Sequence, residues 1–408
     1  MIKYEMKKVF LKTGSKIALL LLLAALSITC FFAMNVSYVD ENGKTKSGPA
    51  AVLALKEAQK EWAGELNEEK IEKVIAENHR IRTSPEALSQ DIKDNDIAYS
   101  RGQGIREIRS LLNCAYAVTF REYDYYRADT LSTDDAKDFY KNRTKLLKEW
   151  LEGEDGEQFS AEEQAYLIRQ YENLKTPLSF DYMTGWQQLF EFSPTIVMLI
   201  TLVAGYLVSG IFSNEFLWKS DAILFSSAYG RNKAVAAKIA AGFLVVTVLY
   251  FAAFLTYAGV VLGYLGIDGW NLQIQSSWTS WKSFYNITNF EQFFLIGIGG
   301  YIGCLFLCFL SMLVSAKTRS SVFAVMVPFE LIFLPSFLSN IKSTRLNKVL
   351  GLLPDQLLQI ANALKYFNLY SIGENVIGEV PVVIVLYIIG TLLILPVLYE
   401  VYRRVQIN

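Results

Sequence analysis

Residues Phe212 to Lys238 read FSNEFLWKSDAILFSSAYGRNKAVAAK, a charged, amphipathic connector between two apolar segments long enough to cross a membrane. It carries Glu215, Lys219, Asp221, Arg231, Lys233 and Lys238. Ionised side chains at that density are excluded from hydrocarbon, so the connector lies outside the bilayer, and its basic excess assigns it to the cytoplasmic side. A short, structured, basic elbow of this kind usually meets a soluble partner that pushes on it.

The chain of 408 residues is 52% hydrophobic and 19% charged, an average over two unlike populations. Residues 36 to 188 are dense in Lys, Glu, Asp, Arg and Tyr, whereas the carboxyl-terminal remainder is mostly apolar runs of membrane length. A net charge of -1 and the lack of basic tracts interleaved with aromatics argue against nucleic-acid binding. Of the four cysteines, Cys30, Cys304 and Cys308 fall in apolar segments and Cys114 stands alone in the polar block, so no internal disulfide framework holds that block. Cys304 and Cys308 have helical spacing but no histidine nearby, which favours packing over a metal site.

A helix needs about 20 apolar residues to cross a hydrocarbon core. Six segments qualify, at 17–34, 190–212, 239–266, 292–315, 321–338 and 381–401. The first continues to Met34, longer than a signal-peptide core, and lacks the small residue a lipoprotein site wants before Cys30, so it reads as an uncleaved anchor. Lys3, Lys7, Lys8, Lys12 and Lys16 place the amino terminus in the cytoplasm. Alternation then puts the elbow at 213–238, the turn with Lys317 and Arg319, and the tail with Arg403 and Arg404 on the same side. Lys342, Arg345, Lys348 and Lys365 in the outer segment 339–380 depart mildly from the rule, which long loops obey less strictly. The fold class is an all-α membrane protein with six transmembrane helices, both termini inside, in a multi-pass bacterial plasma-membrane arrangement.

The expected organisation is a cytoplasmic segment and first crossing at 1–35, an extracellular helical domain at 36–188, and the remaining crossings at 189–408. The block at 36–188 is rich in helix formers at spacings of three and four, and Ser132 before Asp135 and Ser160 before Glu163 resemble capping boxes. Tyr116, Phe120, Tyr123, Tyr125 and Tyr126 supply aromatic mass for a core of its own, or a platform facing outward. Between the fifth and sixth crossings, Leu353, Leu357, Ile360, Ala361 and Leu364 share one helical face, suited to lying on the membrane or capping the bundle.

The elbow resembles the matching loop of ABC-2-type permeases, which runs acidic residue, short spacer, Leu-Leu-Ser-Ser-Pro, small residue, Arg, then a Lys opening the third helix. Glu215, Leu224, Ser226, Ser227, Arg231 and Lys238 fall in that order. Ala228 stands where the proline is usual, and Lys219 with Asp221 where the family tends to have Gly-Thr. The transmembrane layout extends the resemblance over most of the chain except the first outer block. It implies the permease subunit of an ABC exporter, working with a second permease copy or paralogue and with cytoplasmic ABC ATPase subunits that consume ATP and Mg; this chain itself would bind no cofactor. Glu215, Trp218, Lys219, Leu224, Phe225, Ser226, Ser227, Arg231 and Lys233 would couple to the ATPase, with Trp218, Leu224 and Phe225 filling a hydrophobic groove.

Enzymatic chemistry lacks its parts. His79 is the sole histidine and sits in the outer block, and there is no nucleophile elbow. Gly43-Lys44-Thr45 mimics the end of a phosphate loop, but Tyr38 occupies the position of its first glycine. Asn35, Asn142 and Asn286 sit in glycosylation-like triplets that are common by chance. Within the membrane, Glu330 falls mid-crossing between Pro328 and Pro335, and a central charge demands a partner, an aqueous cavity or a proton. It reads either as a protonated Glu bonded to a neighbouring helix or as part of the translocation path. Tyr250, Tyr257 and Tyr264 recur every seven residues as one stripe, for packing or for a hydroxyl-lined cavity. Gly299 and Gly303 form a small-xxx-small pair. The expected substrate is amphipathic or lipophilic, such as a peptide, antimicrobial or drug; an ABC-driven mechanical relay acting on an extracellular partner, or an ion extruder or channel, are the other classes.

Overall fold

The computed structural model describes residues 1–338, 344–373 and 375–405. An amino-terminal helix α1 (Ile2–Leu11) turns at the single extended residue Lys12 into α2 (Thr13–Ala33). The polar block comes next, with hairpin β1–β2 (Ser37–Val39, Thr45–Ser47), α3 (Pro49–Lys60), β3 (Gly64–Glu65), α4 (Glu68–Arg82), α5 (Pro85–Leu88), α6 (Ile92–Gly102), α7 (Arg106–Ala115), α8 (Phe139–Glu152), α9 (Ala161–Glu172) and β4 (Ser179–Phe180), which pairs with β3. The remainder comprises α10 (Thr184–Leu217), α11 (Asp221–Ser226), α12 (Lys233–Leu265), α13 (Asn289–Thr318), α14 (Ser321–Leu338), α15 (Thr344–Leu350), α16 (Asp355–Leu358), α17 (Ile360–Ala363), hairpin β5–β6 (Leu369–Ile372, Asn375–Gly378) and α18 (Glu379–Arg403). Six of these helices, α2, α10, α12, α13, α14 and α18, are long and apolar enough to cross a membrane. They match the six expected segments, falling one residue short at Met34 and Gly266 and overrunning most of the other ends. Lys342 lies outside the described residues.

Two helices form the centre of the bundle. Two thirds of the apolar window of α10 is buried against 17% in α18, and α13 packs on α10, α14 and α18. Small residues permit this. A Cβ at Gly205 of α10 would sit 2.7 Å from Pro328 of α14, and one at Gly242 of α12 would meet the Met312 sulfur at 2.7 Å. Pro328 has no N–H to offer the carbonyl four residues back, and Ser311 Oγ of α13 donates to that orphaned Ala324 carbonyl at 2.6 Å.

Both predicted capping boxes form, at Ser132 with Asp135 and Ser160 with Glu163. The polar block does not close on its own residues. Its second core of Phe120, Leu147, Trp150, Leu167 and Tyr171 is completed by Phe284 from the α12–α13 connection and Leu369 from the α14–α18 connection. Tyr171 Oη donates to the Lys282 carbonyl at 2.5 Å, Trp281 packs on Phe139 at 5.1 Å, and Lys348 pairs with Glu163 at 2.6 Å. Of the aromatic set, Tyr116 and Phe120 are core, while Tyr123, Tyr125 and Tyr126 are exposed. Cys114 is buried.

The expected amphipathic helix around Leu353–Leu364 is two one-turn helices instead. They are driven into the bundle end: Gly303 of α13 admits Leu357, whose Cβ would lie 2.9 Å from a Cβ there, and Gly299 admits Ile360. The glycine pair therefore serves contact with α16 and α17, and the bundle-capping geometry is the one adopted. Leu357, Ile360, Ala361 and Leu364 are buried, and Leu353 is half-buried.

Candidate functional site

At the bundle end carrying the termini, α1 lies against α10 and α12 and closes a buried ionic network. Lys238 Nζ contacts Glu215 Oε1 at 2.8 Å and Glu5 Oε2 at 3.0 Å, and donates to the Ile211 carbonyl at 2.8 Å. Lys8 Nζ reaches Glu5 Oε1 and Glu215 Oε1, each at 3.0 Å. Burial alone raises the Glu5 carboxyl, but Lys238 and Lys8 together outweigh it and hold that group below the usual carboxylate range. Glu215 and Lys238 thus clamp three helices together rather than facing a partner, and an elbow reading of the sequence has no periodic signal by which to find Glu5 or Lys8.

The elbow sorts its residues by side. Phe225 is buried, 5.2 Å from the Tyr402 ring and 6.1 Å from Phe216. Arg231 lies over the Phe225 ring at 5.0 Å and donates to the Arg403 and Val405 carbonyls, both at 2.9 Å, tying the elbow to the last helix. Gly230 is obligatory in this turn, since a Cβ there would overlap the Leu224 carbonyl. Leu224 is half-buried, whereas Trp218, Ile223 and Tyr229 are exposed. Lys219, Ser226, Ser227 and Lys233 are exposed around them. The groove-filling set expected from sequence is therefore corrected at Phe225, which points inward, and Ile223 and Tyr229 join Trp218 on the outward face.

The residues considered for a translocation path are not brought together. Tyr250 and Tyr257 are fully buried and Tyr264 half-buried. Tyr257 Oη donates to the Leu189 carbonyl at 3.0 Å, while the Tyr250 ring lies between Phe254 at 5.8 Å and Tyr301 at 5.5 Å. Glu330 stands on the exposed face of α14, opposite the Ala324, Pro328, Ile332 stripe that enters the bundle. Among the described residues it has no hydrogen bond or ion pair, so the reading of a carboxyl bonded to a neighbouring helix of the same chain is not what the fold builds.

With six helices long and apolar enough to cross a membrane and an elbow bracketed by Glu215 and Lys238 in place, comparison with known proteins adds the family. A family model described as "ABC-2 family transporter protein" matches residues 3–401. The chain belongs to the ABC-2 transporter family. No curated protein and no solved structure matches the chain. It is an ABC-2 type permease, a multi-pass membrane component of an ABC transporter.

The opposite end of the permease holds two acids that the sequence reading missed. Asp355 is buried, its Oδ2 accepting from Gln356 Nε2 at 3.0 Å and Gln359 Nε2 at 2.9 Å, and its Oδ1 has no partner among the described residues. Burial pushes the Asp355 carboxyl up to about 7 against the pull of those amides. Glu379, the first residue of α18, accepts from Asn368 Nδ2 with one oxygen and leaves the other unpartnered among the described residues. A carboxylate followed by Gln one and four residues later inside an apolar helix face was the available signal.

Proposed function

We propose that this permease is the membrane subunit of an ATP-driven exporter in the bacterial plasma membrane, with the polar block outside the cell and the elbow in the cytoplasm. The observation that carries the reading is the elbow itself. It offers Trp218, Ile223 and Tyr229 outward among basic and hydroxyl side chains, and is braced from behind by the Phe225–Tyr402 contact and the Arg231 carbonyl bonds. An ATPase subunit seated on those exposed residues would turn nucleotide-driven closure into a push on α10, α12 and α18 together. ATP and Mg would belong to that partner. A second permease copy or paralogue completes the assembly, and the outward face of α14 with Glu330 is suited to meet it. The substrate class is amphipathic or lipophilic.

A mechanical relay to an outer partner is the second reading. It is favoured by the block's dependence on Phe284 and Leu369, through which motion of the crossing helices would reach it. Reconstitution with the ATPase in inverted vesicles separates the two: ATP-dependent accumulation of a fluorescent amphiphile supports export, and hydrolysis without accumulation rejects it in favour of the relay.

A further inference from the structure

Between the polar block and the bundle end lies a cavity of about 670 Å³, the size of pockets that enclose small organic ligands. Four separate parts of the chain build it: the block, the α12–α13 connection, the end of α14, and the α15–β5 segment. One wall is aromatic. Phe120 is stacked on Trp150 at 5.2 Å and on Phe367 at 5.7 Å, with Phe159 edge-on to Trp150 at 5.6 Å.

Among the described lining residues cations outnumber acids. Arg121, Lys282 and Lys365 are cations, and Asp355 is the one acid among the described lining residues. Lys282 is half-buried, and no carboxylate pairs with it among the described residues. Burial and then the neighbouring Arg121 hold its ammonium below the usual lysine range, the signature of a cation kept at a cost without its counter-charge. Asp355 does not supply that charge, because burial favours its protonated form.

We infer that this cavity binds an amphipathic organic anion, its apolar body against the aromatic wall and its carboxylate, phosphate or sulfonate facing Lys282. A cationic ligand is disfavoured, since Lys282 and Lys365 on the same lining repel it. Lys282 Nζ lies over Phe120 at 5.4 Å and Arg121 over Trp150 at 4.9 Å. An anion instead gains charge-assisted hydrogen bonds and relieves an uncompensated ammonium. The site stands apart from the coupling reading of the elbow, so loss of ATPase docking leaves it untouched.

The test is equilibrium dialysis of the full-length permease in nanodiscs of zwitterionic lipid, with 2-naphthyl phosphate, 2-naphthol, a naphthylmethylammonium salt and inorganic phosphate as probes. Naphthyl phosphate should bind about tenfold or more tightly than the other three, the difference of one charge-assisted contact or one ring surface. Lys282→Gln should weaken it by about tenfold while Lys282→Arg retains it. The Lys282 carbonyl that accepts from Tyr171 is backbone and survives both changes. Should Lys282→Gln fail to fold, Lys365→Gln at the half-buried cation of the rim takes its place, with a several-fold loss expected. Equal binding of the ammonium probe, or undiminished affinity in the folded cation-to-Gln variant, overturns the assignment. Adding phosphatidylglycerol to the nanodiscs sorts the source: competition places the natural anion in the membrane, and its absence places it among solutes.

Discussion

Lys238 and Glu215 stand 2.8 Å apart with 1% and 4% of their side chains exposed, a nearly dry ion pair joining the start of one crossing helix to the end of another. Each fixes the other. The pair is completed from α1 by Glu5 and Lys8, so a helix that hydropathy leaves unassigned becomes part of the same clamp.

Lys238→Met should destabilise the permease by about 3 kcal/mol or more, because one buried carboxylate loses its main counter-charge. Replacing both members, as Lys238→Met with Glu215→Leu, should recover part of that loss. Thermal unfolding in detergent measures it, and a single variant as stable as the parent would show the network to be solvated.

Elbow variants should divide by side. Ile223→Asp or Trp218→Ala ought to reduce co-purification of the ATPase and leave the melting temperature unchanged, since both side chains are exposed. Phe225→Ala should instead cost about 3 kcal/mol of stability through the cavity left beside Tyr402. Normal docking and hydrolysis in Ile223→Asp would refute the outward face as the ATPase seat.

Asp355 makes stability fall toward alkaline pH. Its folded value is raised to about 7 from 3.8, so the protonated carboxyl's contribution is complete below the ordinary carboxylate range and is lost as pH rises through about 7. Asp355→Asn should match the parent at acid pH and melt higher at alkaline pH; a parallel pH profile in the two proteins would contradict the burial argument.

Thiol labelling on intact cells should modify a cysteine placed at exposed Tyr126 and spare one at Ser226 until the membrane is opened. Cys114 is unsuitable as a reporter: burial raises its thiol to about 11 and shields it. Labelling at Ser226 without permeabilisation would invert the topology.

Glu330→Gln should leave the melting temperature of the isolated chain unchanged, as the carboxyl has no hydrogen bond or ion pair among the described residues, and alter either assembly with a second copy or the pH dependence of transport. Size-exclusion chromatography and vesicle transport across pH measure these. Identical behaviour in both would leave the residue without a role.

The crossing helices, their order and the caps at Ser132 and Ser160 were legible because each rests on residues within a few turns of one another. Hydropathy reports the transfer free energy of a segment, and a capping box closes over three residues. Charge placement was legible for the same reason, as far as the elbow being a charged break between two helices long and apolar enough to cross a membrane.

Which side of the elbow faces outward was decided by Tyr402 and the Arg403 and Val405 carbonyls, 172 or more residues from Arg231 in the case of the two bonds. Local period says that Phe225 is apolar, not whether a partner or its own chain covers it. The same holds for the polar block, whose composition promised a self-contained core and whose packing needs Phe284 and Leu369. Asp355 and Lys282 become neighbours of one cavity only when four separated parts of the chain converge. The sequence by itself therefore determined the membrane class, the six helices long and apolar enough to cross and the charged elbow between two of them, all set by local transfer energies. The tertiary structure alone decided which charges are dry, which aromatics face solvent and where a cavity opens, because desolvation depends on what distant segments bring to the same place.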